Sequence, residues 1–171
     1  MPTKKGAGGR QQNYDPNTGR FAKTDYASMF PIQISRRERA RKRESARREV
    51  LYNRALNSKD PLLFEVYCAI EKELPGAVQL VNENKFDPFL GRGRELDIVT
   101  RKCIIEVKSG KKPKGLTQFL GQKAYAVWKN KTHIVFAPQM ALAAKRAHER
   151  NGITIIRDYN LLLATIKEYE K

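Results

Sequence analysis

Between Glu95 and Lys108 the chain places two short aliphatic runs back to back, Glu95-Leu96-Asp97-Ile98-Val99 and the stretch from Lys102 to Lys108, with a basic break at Arg101 and Lys102. Runs this short and rich in β-branched residues favour strands. Side chains alternate along a strand, so Leu96 and Ile98 are expected on one face, with Glu95, Asp97 and Val99 on the other. In the second run Cys103, Ile105 and Val107 share the core face, leaving Ile104, Glu106 and Lys108 opposite. A turn near Arg101 and Lys102 that pairs residue 99 with 104 also sets Asp97 against Glu106, with ~5 Å between their Cβ atoms.

Two carboxylates face to face repel, and a cation between them relieves the repulsion. Hard oxygen ligands select Mg²⁺ or Mn²⁺ over zinc. Lys108 stands on the same face about 6 to 7 Å beyond Glu106, where its ammonium can reach a water or a phosphate oxygen. Phosphodiester hydrolysis needs this combination: a metal to acidify water and a positive charge to share what develops on the phosphate. The competing interpretation is a surface hairpin that carries these charges on its wet face.

The rest of the chain supplies a sheet for that hairpin. Asp60-Pro61 opens a helix with Leu62, Leu63, Val66, Tyr67, Ile70 and Leu74 as apolar positions, stopped by Pro75-Gly76. Strands are expected at Ala77 to Val81, Glu95 to Val99, Lys102 to Lys108, Thr132 to Phe136 and Ile153 to Ile156. Helices are expected from Leu116 to Trp128, Met140 to Glu149 and Tyr159 to Tyr169. The order α-β-β-β-α-β-α-β-α describes an α/β fold with a central mixed sheet of four to five strands flanked by helices. The 171 residues suffice for one such domain, 58–171, plus an appendage.

That appendage is basic. Residues 1–34 are rich in Gly, Asn, Gln, Lys and Thr and bury too little to offset their ordering entropy, so a mobile arm is expected. Within it Tyr14-Asp15-Pro16-Asn17-Thr18-Gly19-Arg20-Phe21 forms a turn flanked by aromatics and resembles a junction that follows repeat arrays in some polymorphic toxins. Ser35-Arg36-Arg37-Glu38 has the pattern of a capping box, which starts a helix over 35–57. Arg36, Arg37, Arg41, Arg43 and Arg47 dominate that helix. It is either a solvated helix held by i,i+4 pairs such as Glu38 with Lys42, or a surface for phosphates.

The net charge of +16 makes nucleic acid the leading partner, ahead of an anionic membrane. No apolar run approaches the ~20 residues that span a bilayer, so a soluble, cytoplasmic protein is expected. Cys68 and Cys103 are expected to be buried thiols in a reducing compartment. His133 and His148 lack metal-ligand spacing and are taken as incidental, on a strand and a helix.

Glu95-Leu96-Asp97-Ile98-Val99 followed by Ile104-Ile105-Glu106-Val107-Lys108-Ser109-Gly110 resembles the signature of the PD-(D/E)XK nuclease superfamily, with Leu96 where a proline is common. Gln118, past the lysine on the next helix, is similar to the helical glutamine of the Holliday junction resolvase and virus-type replication-repair branch. The resemblance covers 61–136 and implies a restriction-endonuclease-like core and a Mg²⁺-dependent nuclease, DNA favoured over RNA. It also implies that Asp97, Glu106 and the Val107 carbonyl bind Mg²⁺ or Mn²⁺, and that Lys108 orients or activates water. Glu65 would complete the acidic cluster, with Glu71 and Glu73 as rivals, and Gln118 would join the site. A homodimer follows by analogy alone. The alternatives are an RNase, including a tRNA-cleaving toxin, and a non-catalytic nucleic-acid-binding protein on the same fold.

Three lesser features border this site. Leu90-Gly91-Arg92-Gly93-Arg94 either holds a phosphate with its amides and the Arg92 and Arg94 guanidinium groups or is a plain flexible loop. Lys111, Lys112 and Lys114 either line a substrate groove or are solvated. On the helix after them, Leu116, Phe119, Leu120, Val127 and Trp128 are expected to pack in the core, while Gln118, Gln122 and Tyr125 form a second stripe, of which Gln118 is the favoured site residue.

Overall fold

The structure is a computed structural model and describes residues 14–15, 20–21, 29–111 and 115–171, with side chains from residue 35 onward. The chain divides into two units, between Ser45 and Ala46. In the first, β1 (Tyr14–Asp15) and β2 (Arg20–Phe21) pair antiparallel, Tyr14 with Phe21 and Asp15 with Arg20. The expected turn, residues 16–19, lies outside the described residues, and these two strands stand within a stretch expected to be an arm. Helix α1 runs Met29–Leu56 and crosses the division. It begins ahead of Ser35, so Ser35 lies inside the helix and not at its cap.

The second unit holds α2 (Pro61–Glu73), β3 (Val78–Asp87), β4 (Arg92–Thr100), β5 (Cys103–Val107), α3 (Leu116–Trp128), β6 (Thr132–Phe136), α4 (Leu142–Glu149), β7 (Ile155–Ile156) and α5 (Tyr159–Glu170). This is the expected α/β order. The five strands lie in the order β3-β4-β5-β6-β7, antiparallel from β3 to β5 and parallel from β5 to β7. The change of direction follows from the connections. Tight turns join the first three strands, whereas α3 and α4 carry the chain back for the last two. No described helix is long and apolar enough to cross a membrane.

Both faces of the sheet are covered. On one, Leu63, Val66, Tyr67 and Ile70 of α2 and Leu162 and Ile166 of α5 pack with Ile98, Ile105, Val107 and Phe136, joined by Leu51 and Ala55 of α1. On the other, α3 contributes Phe119, Tyr125 and Ala126 to two smaller clusters. The ends of α2 are fixed by carboxylates: Asp60 accepts the Leu62 N–H at 3.0 Å, and Glu71 accepts the N–H groups of Gly76 and Val78 at 3.0 and 3.2 Å.

The strict alternation expected along β4 fails at one point. Ile98 packs beneath α2 and α5, whereas Leu96 packs with Val99, Ile104 and Tyr125 on the α3 side. A backbone irregularity stands opposite this step in the neighbouring strand. The β3–β4 register pairs Val81 with Ile98 and Glu83 with Leu96, and between them Asn82 has φ +45°.

Candidate active site

The β4–β5 hairpin pairs Ile98 with Ile105 and Val99 with Ile104, the register expected from the sequence. Regular pairing stops there. At the next step the Asp97 carboxylate, not a main-chain carbonyl, accepts the Val107 N–H at 2.7 Å. The side chain thereby holds the opening of the hairpin and leaves its carboxylate beside Glu106. The Lys108 ammonium lies 3.5 Å from Asp97 Oδ2 and 2.6 Å from Glu106 Oε1. Both carboxylates therefore come within reach of one positive charge.

Two neighbouring contacts fix the end of β5. The Lys108 N–H donates to the Phe136 carbonyl at 2.9 Å, and the Ser109 N–H donates to Asp60 Oδ2 at 3.2 Å. Asp60 thus caps α2 with one oxygen and anchors the chain leaving β5 with the other.

A cleft of about 610 Å³ opens over the pair, lined by Asp97 and Glu106, by Arg92, Arg94 and Glu95 of β4, and by Gln118, Gly121 and Gln122 of α3. Glu106 is only 3% exposed and Gln122 only 4%. The Gln122 amide donates to Glu106 Oε2 at 2.6 Å. Gln118, favoured from the sequence, stands exposed at the rim. The reason is helical phase: the buried stripe of α3 is Phe119, Gln122, Tyr125 and Ala126. The expected core residues Leu120, Val127 and Trp128 are 41%, 67% and 49% exposed.

Glu65 does not join the two carboxylates. It is exposed and accepts a hydrogen bond from the Tyr159 hydroxyl of α5 at 3.2 Å, on the helix pair that packs together beyond the sheet. Glu71 caps the turn after α2 and Glu73 pairs with Lys167 at 2.7 Å. Among the described residues no three His, Cys, Asp or Glu side chains come together in a metal-binding group. The chemistry of the donor set nevertheless fits a divalent cation: two carboxylates already converge on a cationic group, with the Val107 carbonyl on the same strand.

Arg94 is no loop residue. It lies in β4, is 8% exposed, and its Nε pairs with Asp87, which is fully buried. Its guanidinium sits over the Tyr125 ring, 5.7 Å from the centroid. A Cβ on Gly121 would lie 3.2 Å from an Arg94 terminal nitrogen, so glycine lets α3 come this close. Arg92 is exposed on the cleft wall, and Gly91, at φ +63°, makes the turn before it.

The other basic candidates are spread out. Arg36, Arg37, Arg41 and Arg43 are exposed on α1 in the first unit. Arg47, in the second, reaches the Val78 carbonyl at 3.5 Å. Lys111 is exposed, and Lys112 and Lys114 lie outside the described residues.

His133 is a site feature that spacing could not reveal. It is buried on β6 beside Ile104, and neither ring nitrogen has a hydrogen-bond partner. Burial pushes its pKa down to about 4, against the opposing pull of Glu106. His148 is also buried, edge-on to Phe119. Of the thiols, Cys103 is buried as expected and burial raises its pKa to about 11; Cys68 is exposed because it lies off the α2 stripe that meets the sheet.

Compared with protein-family models, with curated proteins and with solved structures, the chain finds no match in any of the three.

Proposed function

We propose that this protein is a Mg²⁺- or Mn²⁺-dependent nuclease that hydrolyses phosphodiester bonds, with DNA favoured over RNA. The observation that carries this reading is the convergence of Asp97 and Glu106, which line a cleft together with Arg92 and Arg94, on the Lys108 ammonium. Asp97, Glu106 and the Val107 carbonyl would hold the metal, which when bound supplies an acidified water and charge for the phosphate. A two-carboxylate site, without Glu65, is the form the reading takes here.

The protein's own groups have definable tasks. Asp97 is oriented by the Val107 N–H, and Glu106 by the Gln122 amide, so neither carboxylate is free to rotate out of the cleft. Lys108 Nζ bears a proton next to both and can orient a water or stabilise the charge that grows on the phosphoryl oxygens. Arg92 is placed to hold a neighbouring phosphate from the wall. Arg94, held by Asp87 through Nε, lines the same cleft.

One observation favours a second reading, a nucleic-acid-binding protein without catalysis. Lys108 already pairs with both carboxylates and offsets one of their two charges, so the repulsion between them is eased without a metal. Incubation with supercoiled plasmid separates the two. The nuclease is expected to nick or cut with Mg²⁺, to stop with chelator, and to stop in Asp97→Ala and Lys108→Ala variants that still bind DNA. Equal cleavage by the wild type and Asp97→Ala, or no cleavage of plasmid, single strand or total RNA, overturns the proposal.

A further inference from the structure

The turn that edges the cleft also carries exposed aromatic rings. Phe86 and Phe89 are 66% and 61% exposed, and Trp128 at the end of α3 is 49% exposed. The edge of one ring meets the other in the Phe89–Trp128 pair, with 6.3 Å between centroids. Beside them runs a groove of about 390 Å³, its floor made by Leu80, Leu96, Val99, Ile104 and Tyr125. Every charged side chain lining it is a lysine: Lys85, Lys129 and Lys131. Lys129 Nζ lies 3.9 Å from the Trp128 ring centroid and 5.8 Å from that of Tyr125.

This surface is built, not incidental. Asp87, fully buried, accepts the Phe89 N–H at 2.8 Å with one oxygen and binds Arg94 with the other. The turn that presents Phe89 is therefore tied to the arginine of the cleft. Tyr125 belongs to the groove while its ring lies under the Arg94 guanidinium. Cleft and groove meet at the Arg94–Tyr125 stack.

We propose that this groove holds an unpaired stretch of a nucleic-acid strand, with bases stacked on Phe86, Phe89 and Trp128 and phosphates met first by Lys129, since Lys85 already pairs with Glu83 and Lys131 donates to the Thr100 and Arg101 carbonyls. Every base has a π-face that an aromatic ring can cover, but in a duplex those faces are stacked on neighbouring base pairs. Exposed rings rimmed by lysine therefore suit a strand whose bases are free. A second copy of the chain is a poor occupant: lysine rims would meet lysine rims in a protein of net charge +16. A flat anionic bilayer would touch the rings and leave the recess between them and the cleft unfilled.

The inference deepens the nuclease reading and rests on it for one point, that the strand bound here continues into the site that cuts it. Binding itself requires no cleavage.

Trp128 is the chain's single tryptophan, so its emission reports this groove alone. The full protein, with chelator and at about 0.15 M salt to weaken binding by bare charge, is titrated with oligo(dT) and with a blunt duplex of equal length. Anisotropy of labelled strands measures binding, and tryptophan emission its location. The single strand is expected to quench Trp128 to saturation and the duplex to quench it much less. A Phe86→Ala, Phe89→Ala double variant, both rings being exposed, is expected to keep its circular dichroism and to bind oligo(dT) about tenfold or more weakly, since base–aromatic stacking is lost. The proposal is overturned if oligo(dT) binds with unchanged emission, if the double variant binds as well as the wild type, or if only vesicles containing phosphatidylserine quench Trp128. Quenching by oligo(dT) in a protein that cuts no substrate removes the nuclease reading and leaves the groove; cleavage with an unresponsive Trp128 does the reverse.

Discussion

Gln122 donates its side-chain amide to Glu106 at 2.6 Å, and both residues are buried within the wall between α3 and the sheet. An ionised carboxylate only accepts, so the amide must present its nitrogen, which leaves the Gln122 oxygen buried with no partner. That unpaired oxygen is a cost the structure carries at the site and nowhere useful to packing. The contact fixes the rotamer of the carboxylate that Lys108 also holds.

Replacing Gln122 by Leu keeps the volume and removes the donor. Metal affinity, measured by Mn²⁺ titration calorimetry, is expected to fall about 10- to 100-fold, the range for groups that orient a ligand without touching the ion. Stability should change little, because the orphaned oxygen is removed along with the hydrogen bond. Unchanged Mn²⁺ affinity would mean that Glu106 is held well enough by Lys108 alone.

Asp97 serves two purposes that substitution can separate. It carries charge into the cleft, and it satisfies the N–H of Val107, a residue 1% exposed. Asp97→Asn retains an acceptor and is expected to unfold within about 1 kcal/mol of the wild type, while Asp97→Ala strands a buried donor and should lose about 1–3 kcal/mol in urea denaturation. Both variants are expected to lose Mn²⁺ binding and cleavage. Cleavage by Asp97→Asn at the wild-type rate would remove the carboxylate from the mechanism.

The pairing of the two acids was legible because hairpin register is set locally: the break at Arg101-Lys102 dictates Val99 with Ile104 and brings Asp97 beside Glu106. Helix α3 and strand β6 were legible for the same reason, each being bounded by its own breakers. What sequence patterning missed depends on distant partners. The change of face between Leu96 and Ile98 lies opposite the left-handed Asn82 on another strand, and periodicity within β4 contains no trace of it. Gln118 and Gln122 lie one turn apart, and the phase at which α3 docks, with Phe119, Gln122, Tyr125 and Ala126 buried, decides which meets Glu106. Glu65 carries the acid that the family resemblance asks for, but the turn of α2 presents it to Tyr159. Arg94 ends the run Leu90-Gly91-Arg92-Gly93-Arg94, which the sequence leaves open between a phosphate-holding segment and a plain loop, and its anchor, Asp87, is set by the β3–β4 pairing of Asp87 with Arg92.

The Asp87–Arg94 pair is nearly dry, at 0% and 8% exposure. Removing one member leaves the other charged and unpaired inside the protein. Arg94→Met is expected to cost about 3–5 kcal/mol in urea denaturation, and Asp87→Leu a similar amount. The double variant should be less destabilised than the sum of the two, because it leaves no buried charge behind. Strict additivity would mean that water reaches the pair. Arg94→Met should also weaken DNA binding, since the guanidinium is lost from the cleft wall.

His133 supplies a pH dependence whose sign follows from its surroundings. Burial holds its folded pKa down to about 4, against an ordinary histidine value near 6.5. Between these values the unfolded chain binds a proton and the folded protein does not, so stability rises with pH across that window. The contribution is complete above about pH 6.5 and is lost as the pH falls towards 4, a change of about 3 kcal/mol at ~1.4 kcal/mol per unit. Neither ring nitrogen has a partner in the fold that would compensate. Urea midpoints measured from pH 7 to pH 4, without metal, should therefore decline more steeply in the wild type than in His133→Phe, which fills the same space without a titrating group. Parallel profiles for the two proteins would show that His133 titrates as it does in water and that β6 is open to solvent there.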